Sequence, residues 1–401
     1  MALRSLKSWL MPIISKRLLS RERLLLKRQS AERKRSAQNR PHVLHFFHQP
    51  GDPYSQLLAS VLPKLLEKYK LQLETHLINA PSDSAVPERE RLQVYSLLDA
   101  ERLAAHYQIA WTFDKAEVLQ NASPTPEKAR NNERQRKWGH YLGATIYYEG
   151  EWYWGIDRLH HLEERLNALG LCQVPYQGPL FPCVQYQALE HAPQGTHIDF
   201  FFSLRSPYSA ISAAKVFEWA HQVGVHVNLR YVLPMAMRGL PVPAEKRKYI
   251  SQDAAREAFV QGVPFGCLND PLGHPTERGL ALMPFAEMHN AAEDYVKSFM
   301  QGVWSEGLDA GTDAHLQIIV ERAGLSWSAA KDILKSQSND THWRAIAEQN
   351  RQALFSLGLW GVPSFRFENT AAWGQDRFWV IEKALHDQFN SDTSTSSSAS
   401  T

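Results

Sequence analysis

Two stretches of the chain share one order of hydrophobic and polar positions. Each begins with a short apolar run, around Phe46 and Phe200, that is typical of a buried β-strand. A polar loop follows, and then a segment with apolar residues three and four positions apart, which predicts an amphipathic helix. A second strand is predicted in each stretch, at residues 71–78 and 225–233. The pattern therefore predicts an α/β arrangement that occurs twice.

The two stretches also match residue by residue. A shift of 154 positions places Phe46 on Phe200 and Pro53-Tyr54-Ser55 on Pro207-Tyr208-Ser209. A W-G-x-D-R motif closes each stretch, at residues 154–158 and 373–377, and an amphipathic helix follows both. Because the matches occur at both ends and in the same order, the sequence predicts a tandem duplication.

Between the matching ends each copy carries a helical insert. The first covers residues 87–139, and the longer second insert covers residues 243–356. A low-complexity run of Ser and Thr ends the chain and predicts disorder. The expected organisation is a basic extension over 1–40, a domain over 41–168, a Pro- and Gln-rich linker over 169–196, a domain over 197–388, and a disordered tail over 389–401.

Length and composition are those of a globular protein with two domains. The 401 residues are 44% hydrophobic and include 12 Trp and 17 Phe, so the chain can bury sizeable cores and wholesale disorder is excluded. Its cysteines, Cys172, Cys183 and Cys267, contain no C-x-x-C pair. This excludes a disulfide scaffold, a zinc ribbon and a dithiol redox site formed within the chain. None of the apolar runs reaches the length of about 18 residues that spans a membrane, and we expect a cytoplasmic protein.

Charge is concentrated at the N-terminus. Residues 1–40 hold 12 Lys or Arg and two Glu, whereas the other residues hold 32 basic and 40 acidic groups. Apolar positions in the basic segment, among them Ile13 and Ile14, can form one helical face. A helix of this kind binds an anionic membrane surface or an acidic partner. The alternatives are a solvated, partly disordered extension and, in a eukaryote, a transit peptide. The acidic remainder argues against nucleic-acid binding.

Histidine spacing and common motifs exclude several functions. His42, His45 and His48 are three residues apart, so that along a strand neighbouring histidines point to opposite faces. His160 and His161 are adjacent on a helix and are expected to diverge. We therefore predict no metal site. The absence of G-x-S-x-G, Walker and G-x-G-x-x-G motifs counts against an α/β-hydrolase, a P-loop enzyme and a dinucleotide enzyme.

Three motifs of the second copy resemble those of a known superfamily. They are Ser206-Pro207-Tyr208-Ser209, Gly361-Val362-Pro363 and Gly374-Gln375-Asp376-Arg377, with Lys246, Tyr249 and Asp253 at the start of the insert. Together they are similar to the DsbA-like thioredoxin-fold proteins, most of all to 2-hydroxychromene-2-carboxylate isomerases and kappa-class glutathione transferases. The resemblance covers the second copy nearly end to end and the first more weakly. It implies two tandem thioredoxin-fold domains, each with a helical insertion, that pack as an internal version of the family's homodimer.

The resemblance implies that Ser206 stabilises the thiolate of bound glutathione. In oxidoreductases of this fold the same position holds the nucleophilic cysteine, but a serine cannot form a mixed disulfide. A hydroxyl at a helix N-terminus can instead donate a hydrogen bond to a thiolate, and the helix dipole favours the same negative charge.

The other motifs gain roles from the same resemblance. Val362-Pro363 is expected to be a cis peptide, at which the Val362 main chain pairs with the cysteinyl backbone of glutathione. Gln375 and Asp376 are expected to receive the γ-glutamyl end, since a carboxylate attracts its ammonium group. Tyr208 and Arg377 are expected to support the site. The thiolate then adds to a small electrophilic substrate, reversibly in the isomerases and permanently in the transferases.

Several positions depart from the family pattern. In the second copy Ser203 stands where an acidic residue is usual, Arg205 where a small residue is usual, and Leu240 where an Asn contacts glutathione. In the first copy Asp52 replaces the serine and would repel a thiolate, while Thr145 replaces the proline of the turn. We therefore expect the first copy to be catalytically silent.

Each proposed site residue also has a purely structural interpretation. Ser206 can serve only as a helix N-cap, worth about 1 kcal/mol, and Pro363 only as a turn. The alternatives to a glutathione-dependent isomerase or transferase are thus a non-catalytic DsbA-like binding or scaffold protein and a thiol–disulfide oxidoreductase. The last would need Cys267 or a partner's thiols, and fold alone does not establish it.

Overall fold

A computed structural model describes the backbone of residues 2–121, 123–185, 189–336 and 342–396, and the side chains of these residues apart from 2–7 and 390–396. The chain forms two compact units. The N-terminal unit comprises residues 24–184 and 241–249, and the C-terminal unit comprises residues 1–23, 185–240 and 250–401. The first part of the predicted linker, up to Val184, therefore belongs to the N-terminal unit, and residues 1–23 belong to the C-terminal unit.

The chain begins with two helices, α1 (Ala2–Leu19) and α2 (Arg21–Ala37). The N-terminal unit then continues with strand, helix and hairpin elements: β1 (Val43–His48), α3 (Pro53–Lys68), β2 (Gln72–Leu77), α4 (Arg89–His106), α5 (Lys115–Gln120), α6 (Pro126–Trp138), β3 (Thr145–Tyr148), β4 (Glu151–Trp154) and α7 (Leu159–Ala168).

The C-terminal unit contains the second sheet and the longer helical insert. Its elements are β5 (His197–Phe202), α8 (Pro207–Val223), β6 (His226–Tyr231), α9 (Ala244–Val260), α10 (His274–Ala281), α11 (Met283–Met288), α12 (Ala292–Gln301), α13 (Asp313–Arg322), α14 (Trp327–Ser336), α15 (His342–Ser356), β7 (Ser364–Phe367), β8 (Thr370–Trp373) and α16 (Phe378–Ser396). The first residues of α9, up to Tyr249, are assigned to the N-terminal unit.

Both sheets have four strands in the same order. The order is β2-β1-β3-β4 in one and β6-β5-β7-β8 in the other. The first two strands of each chain segment pair in parallel, and the remaining pairs are antiparallel. The parallel register also repeats at the shift found in the sequence, because Val43 pairs with Gln72 and His197 with His226. This repetition supports the predicted duplication.

The apolar runs that predicted the central strands are buried. Phe46 and Phe47 of β1 and Phe200, Phe201 and Phe202 of β5 are each at most 2% exposed. Neighbouring residues of a strand point to opposite faces, so these consecutive buried rings show that both faces of each central strand are covered at these positions. The sheet core therefore holds the loop after each central strand in place.

The N-terminal segment differs from the disordered alternative, since α1 is a helix that packs on the C-terminal unit. Ser15 accepts a hydrogen bond from the main chain of Leu268 (3.0 Å), and Asn269 donates to the carbonyl of Ser8 (3.0 Å). The predicted apolar face points away from these contacts, because Ile13 and Ile14 are 56% and 51% exposed. Contact of this face with a membrane surface stays a prediction.

The structure also corrects the predicted tail. Helix α16 continues to Ser396, whereas residues 397–401 lie outside the described residues. Extension of a packed helix adds hydrogen bonds without the cost of a new nucleus, so a polar run can continue it. Within the described residues no helix combines the length and the apolar composition needed to cross a bilayer.

Candidate active site

Ser206 caps the N-terminus of α8. Its backbone is extended (φ −93°, ψ 118°), and its Oγ accepts a hydrogen bond from the main-chain N–H of Ser209 at 3.1 Å. Pro207 occupies the first helical position, where its missing N–H costs nothing. The serine is half-buried. Its hydroxyl thus lies where the helix dipole is positive and main-chain donors are exposed.

The turn before β7 faces this hydroxyl. The Val362-Pro363 peptide is cis, as the resemblance implied. The hydroxyl of Ser206 donates to the carbonyl of Val362 at 3.4 Å, a long hydrogen bond that a better acceptor can displace. Position 361, next to Val362, accepts only glycine, because a Cβ there would collide with the indole of Trp373.

The third motif follows directly from the same turn. The N–H of Gly374 donates to the carbonyl of Pro363 at 2.9 Å, so that Gln375 and Asp376 begin next to the cis peptide. They lie in a short 3₁₀ turn, Gln375–Arg377, that leads into α16. The fold therefore brings the three separated motifs together along one chain of contacts.

Gln375 is held by two residues of the helical insert. Its side chain donates to Glu257 of α9 (2.9 Å) and accepts from Gln261 (2.6 Å), and it also donates to the carboxylate of Asp376. Sequence reasoning missed Glu257 and Gln261. Glu257 could have been found from helical spacing, because it lies one turn after Asp253 and therefore on the same face of α9. Arg377 is buried and donates to the main chain of Asp376 (3.2 Å); its supporting role stays a prediction.

Arg205 neither fills the site nor adds an unbalanced charge to it. Its guanidinium forms two parallel hydrogen bonds with the carboxylate of Asp270, at 2.7 and 2.8 Å. A bidentate pair of this kind fixes the arginine in place and neutralises it. The local sequence around Asp270 did not indicate that it pairs with Arg205, because the two residues are 65 positions apart in the chain. Ser203, at the position of the usual acidic residue, is buried.

Tyr208 anchors α8 to α9. Its hydroxyl donates to Asp253 at 2.8 Å, and the same buried carboxylate accepts from Arg256 at 2.6 Å. The N-terminal unit contains the equivalent bond, from Tyr54 to Asp99 at 2.8 Å. Both members of the two pairs are related by the 154-residue shift. Tyr208 therefore positions the helix that carries Ser206.

The corresponding position of the N-terminal unit is acidic. Asp52 caps α3 and accepts a hydrogen bond from the N–H of Tyr54 at 3.2 Å. Burial raises the pKa of Asp52 to about 7, against the opposing effect of main-chain hydrogen bonds from Tyr54 and Ser55. Thr145 is buried and accepts from Gln135 at 3.0 Å. The carboxyl group is thus partly protonated near neutral pH, and its repulsion of a thiolate grows as the pH rises.

The raised pKa of Asp52 predicts a pH-dependent change in stability. Between about pH 4 and pH 7 the folded state binds this proton more tightly than the unfolded state, so the contribution of Asp52 to stability falls with rising pH. Asp52→Asn keeps the cap and removes the charge. We expect it to increase the free energy of unfolding by about 1 kcal/mol at pH 8 and by less at pH 5, measured by urea unfolding. Asp114→Asn, at the exposed N-cap of α5, should show no such difference between the two pH values. An Asp52→Asn effect that is equal at pH 5 and pH 8 would contradict the prediction.

The three cysteines, and the histidines discussed in the sequence, lie outside the three motifs of the candidate site. None of the three cysteines forms a disulfide, and Cys267 is half-buried. His42 pairs with Tyr148 (2.6 Å) and His48 with Glu117 (2.7 Å), so these histidines diverge as predicted.

The prediction that His160 and His161 diverge is wrong. The ring centroids of His160 and His161 lie 3.9 Å apart. Both side chains are buried, so packing and not helical spacing alone sets their directions. His45 meets Glu74 and His76 across the parallel strands. Burial, together with the charges of His45 and Arg134, lowers the pKa of His76 to about 4. Histidine spacing along one strand could not reveal this cluster, because the cluster joins two strands.

Comparisons with known proteins concern the C-terminal half. Residues 197–386 match the family described as DSBA-like thioredoxin domain. A 2-hydroxychromene-2-carboxylate isomerase of Pseudomonas putida is 22% identical over 199 residues, which cover 47% of this chain and 93% of that protein. The isomerase of Sphingobium xenophagum is 24% identical over 198 residues, 47% of this chain and 98% of its own length. A solved structure of a 2-hydroxychromene-2-carboxylate isomerase, 20% identical, covers 50% of this chain and 99% of its own, with a TM-score of 0.43.

Proposed function

Given that the C-terminal half of the chain is a DsbA-like thioredoxin domain with isomerase relatives, we propose that it binds glutathione and uses the glutathione thiolate on a small conjugated electrophile. The observation that carries the proposal is the hydroxyl of Ser206, which caps α8 and faces the carbonyl of Val362 in the cis turn. A hydroxyl in this place retains the anion-binding features of the fold without the sulfur needed for disulfide exchange.

The thiolate is stabilised by Ser206 and by α8. When glutathione binds, its sulfur replaces the carbonyl of Val362 as the acceptor of the Ser206 hydroxyl. The positive end of the helix dipole lowers the pKa of the thiol further. Since Asp270 neutralises Arg205, the arginine contributes little, and the hydroxyl and the helix supply the effect.

The remaining motif residues hold the tripeptide. The main chain of Val362 pairs with the cysteinyl residue as one strand pairs with another. The carboxylate of Asp376 attracts the γ-glutamyl ammonium group. The side chain of Gln375 gives up one of its hydrogen bonds to the helical insert and forms one with glutathione instead. Glu257 and Gln261 orient Gln375 through their hydrogen bonds.

The chemistry is a reversible conjugate addition. The thiolate lone pair forms a C–S bond at the electrophilic carbon, and the electrons of the C=C bond move to the conjugated carbonyl oxygen. Rotation about the former double bond follows, and the reverse flow of electrons expels the thiolate and leaves the isomer. In a transferase the adduct takes up a proton from solvent and the thioether remains.

The two alternatives predict different behaviour. A non-catalytic binding protein need not stabilise a thiolate at Ser206. A thiol–disulfide oxidoreductase would depend on Cys267, which lies against Gly307 and not in a C-x-x-C pair. Loss of insulin-reducing activity in Cys267→Ser would support that alternative.

The deciding experiment is a titration of the full-length protein with glutathione. Calorimetry measures binding, and the ultraviolet absorbance of the thiolate measures the pKa of the bound thiol. We expect the wild-type protein to bind glutathione with a lowered thiol pKa, and Ser206→Ala to lose most of the lowering. Cys267→Ser is the control and should retain both properties. Failure of the wild-type protein to bind at millimolar glutathione would overturn the proposal.

A further inference from the structure

The N-terminal unit brings two histidines and a glutamate to one point on its sheet. β1 and β2 are parallel, and His45 pairs in register with Glu74. Alternate residues of a strand share a face, so His76 lies on the same face as Glu74. The rings of His45 and His76 stack with their centroids 5.4 Å apart. Three side chains with metal-binding atoms therefore converge outside the candidate active site.

The three donor atoms have the separations of metal ligands. His45 Nδ1 lies 3.1 Å from His76 Nε2 and 3.2 Å from Glu74 Oε2, and the latter two atoms are 3.9 Å apart. In a tetrahedral zinc site with bonds of about 2.0–2.1 Å, ligand atoms lie about 3.4 Å from each other. The triangle seen in the structure is close to one face of that tetrahedron. From this geometry we propose that His45, Glu74 and His76 bind a Zn²⁺ ion and leave its fourth coordination position open.

The donor set and its surroundings suit zinc. Two imidazole nitrogens and one carboxylate oxygen are a ligand combination that Zn²⁺ accepts, and three protein ligands leave a place for water. The side chain of Glu74 is 56% exposed, whereas those of His45 and His76 are 22% and 9% exposed. An ion can therefore enter from the side of the glutamate. The ring centroid of Trp138 lies 5.1 Å from that of His45, so the indole packs edge-on against this ligand.

Arg134 of α6 opposes the ion. Its guanidinium lies 3.4 Å from Nδ1 of His76. A zinc-bound histidine donates from its second ring nitrogen, but arginine has no acceptor to offer, and its charge repels the metal. Because Arg134 is an exposed residue, the side chain can swing into solvent when the ion binds. Zinc binding and the contact between Arg134 and His76 therefore exclude each other.

The test is binding of Zn²⁺ and Co²⁺ to the full-length, tag-free protein. Competition with a chromophoric chelator gives the Zn²⁺ affinity, and the visible absorbance of Co²⁺ reports tetrahedral coordination. We expect one tetrahedral site. We expect each of three variants, Glu74→Ala, His45→Asn and His76→Asn, to weaken Zn²⁺ binding by at least about 100-fold. This is more than is usual when a residue that only hydrogen-bonds to a metal ligand is removed. Arg134→Ala should tighten Zn²⁺ binding.

The controls separate loss of the site from loss of the fold. The control variant is His42→Asn. His42 directly precedes β1 and hydrogen-bonds to Tyr148, so this variant should bind Zn²⁺ as the wild-type protein does. Glu74 is exposed enough that its replacement leaves the fold intact, and circular dichroism checks the other variants. Equal Zn²⁺ affinities of the wild-type protein and the His45→Asn/His76→Asn double variant would overturn the proposal. The result is independent of glutathione binding, since the ligands lie in the other unit.

Discussion

Ser206→Ala is expected to lower kcat/KM for the glutathione-dependent isomerisation of 2-hydroxychromene-2-carboxylate by about 100-fold or more. The substrate is the one after which the relatives are named, and the expectation rests on the proposed function. Removal of a single preorganised donor to a developing or bound anion costs about 10²–10³-fold in other enzymes. The measurement is the rate of isomerisation followed by substrate absorbance at saturating glutathione and as a function of pH. Because the variant no longer stabilises the thiolate, the pH dependence of its isomerisation rate should also shift toward the pKa of the thiol in free glutathione.

The same substitution removes a helix cap, so the two roles of Ser206 must be separated. Asn and Asp cap helices about as well as Ser, and the N-terminal unit already uses Asp52 in the equivalent place. Ser206→Gly removes the hydroxyl and costs the cap only a few tenths of a kcal/mol, and Ser206→Asp keeps the cap but adds a charge that repels the thiolate. Both should be as inactive as Ser206→Ala while unfolding like the wild-type protein. Ser206→Thr retains a hydroxyl and should stay within about tenfold of wild-type activity. If Ser206→Gly is fully active, Ser206 acts only as a cap.

The framework of this site could be predicted from sequence because it rests on local patterns. Short apolar runs around Phe46 and Phe200 identified β1 and β5, and turn residues and helical spacing identified α3 and α8. Ser206 falls at an N-cap because its hydroxyl and the following proline favour the start of a helix. The meeting of Ser206 with the cis turn and the Gly374 motif followed from resemblance to a known fold.

Long-range partners could not be predicted in the same way. The pairing of Arg205 with Asp270, and of Gln375 with Gln261, joins residues 65 and 114 positions apart. Nothing in the local sequence of Asp270 or Gln261 selects these partners, because packing of the helical insert decides which side chains meet. The His45–Glu74–His76 cluster was missed for a related reason. His45 meets Glu74 and His76 only through the parallel register of β1 and β2, which could not be deduced from the sequence pattern.

Asp253→Ala is expected to lower the free energy of unfolding of the C-terminal unit by about 3–5 kcal/mol. The side chain of Asp253 is fully buried, and that of Arg256 is only 7% exposed. Deletion of the carboxylate takes a charged partner from Arg256 in a low-dielectric environment and an acceptor from the hydroxyl of Tyr208. Removal of one member of a buried ion pair commonly costs this much, even where the intact pair adds little to stability.

The measurement is urea unfolding of the full chain, with hydrogen exchange of α8 to assign the loss to the C-terminal unit. Asp253→Asn retains an acceptor for Tyr208 and removes only the charge, so its cost should be smaller. Asp99→Ala is the matched variant of the other unit, where the same bond is made by Tyr54, and it should speed exchange in α3 and leave α8 unchanged. Because α8 carries Ser206, Asp253→Ala should also weaken glutathione binding at temperatures where the unit is still folded. A loss below about 1 kcal/mol would show that the Tyr208–Asp253–Arg256 contacts do not hold α8 against α9.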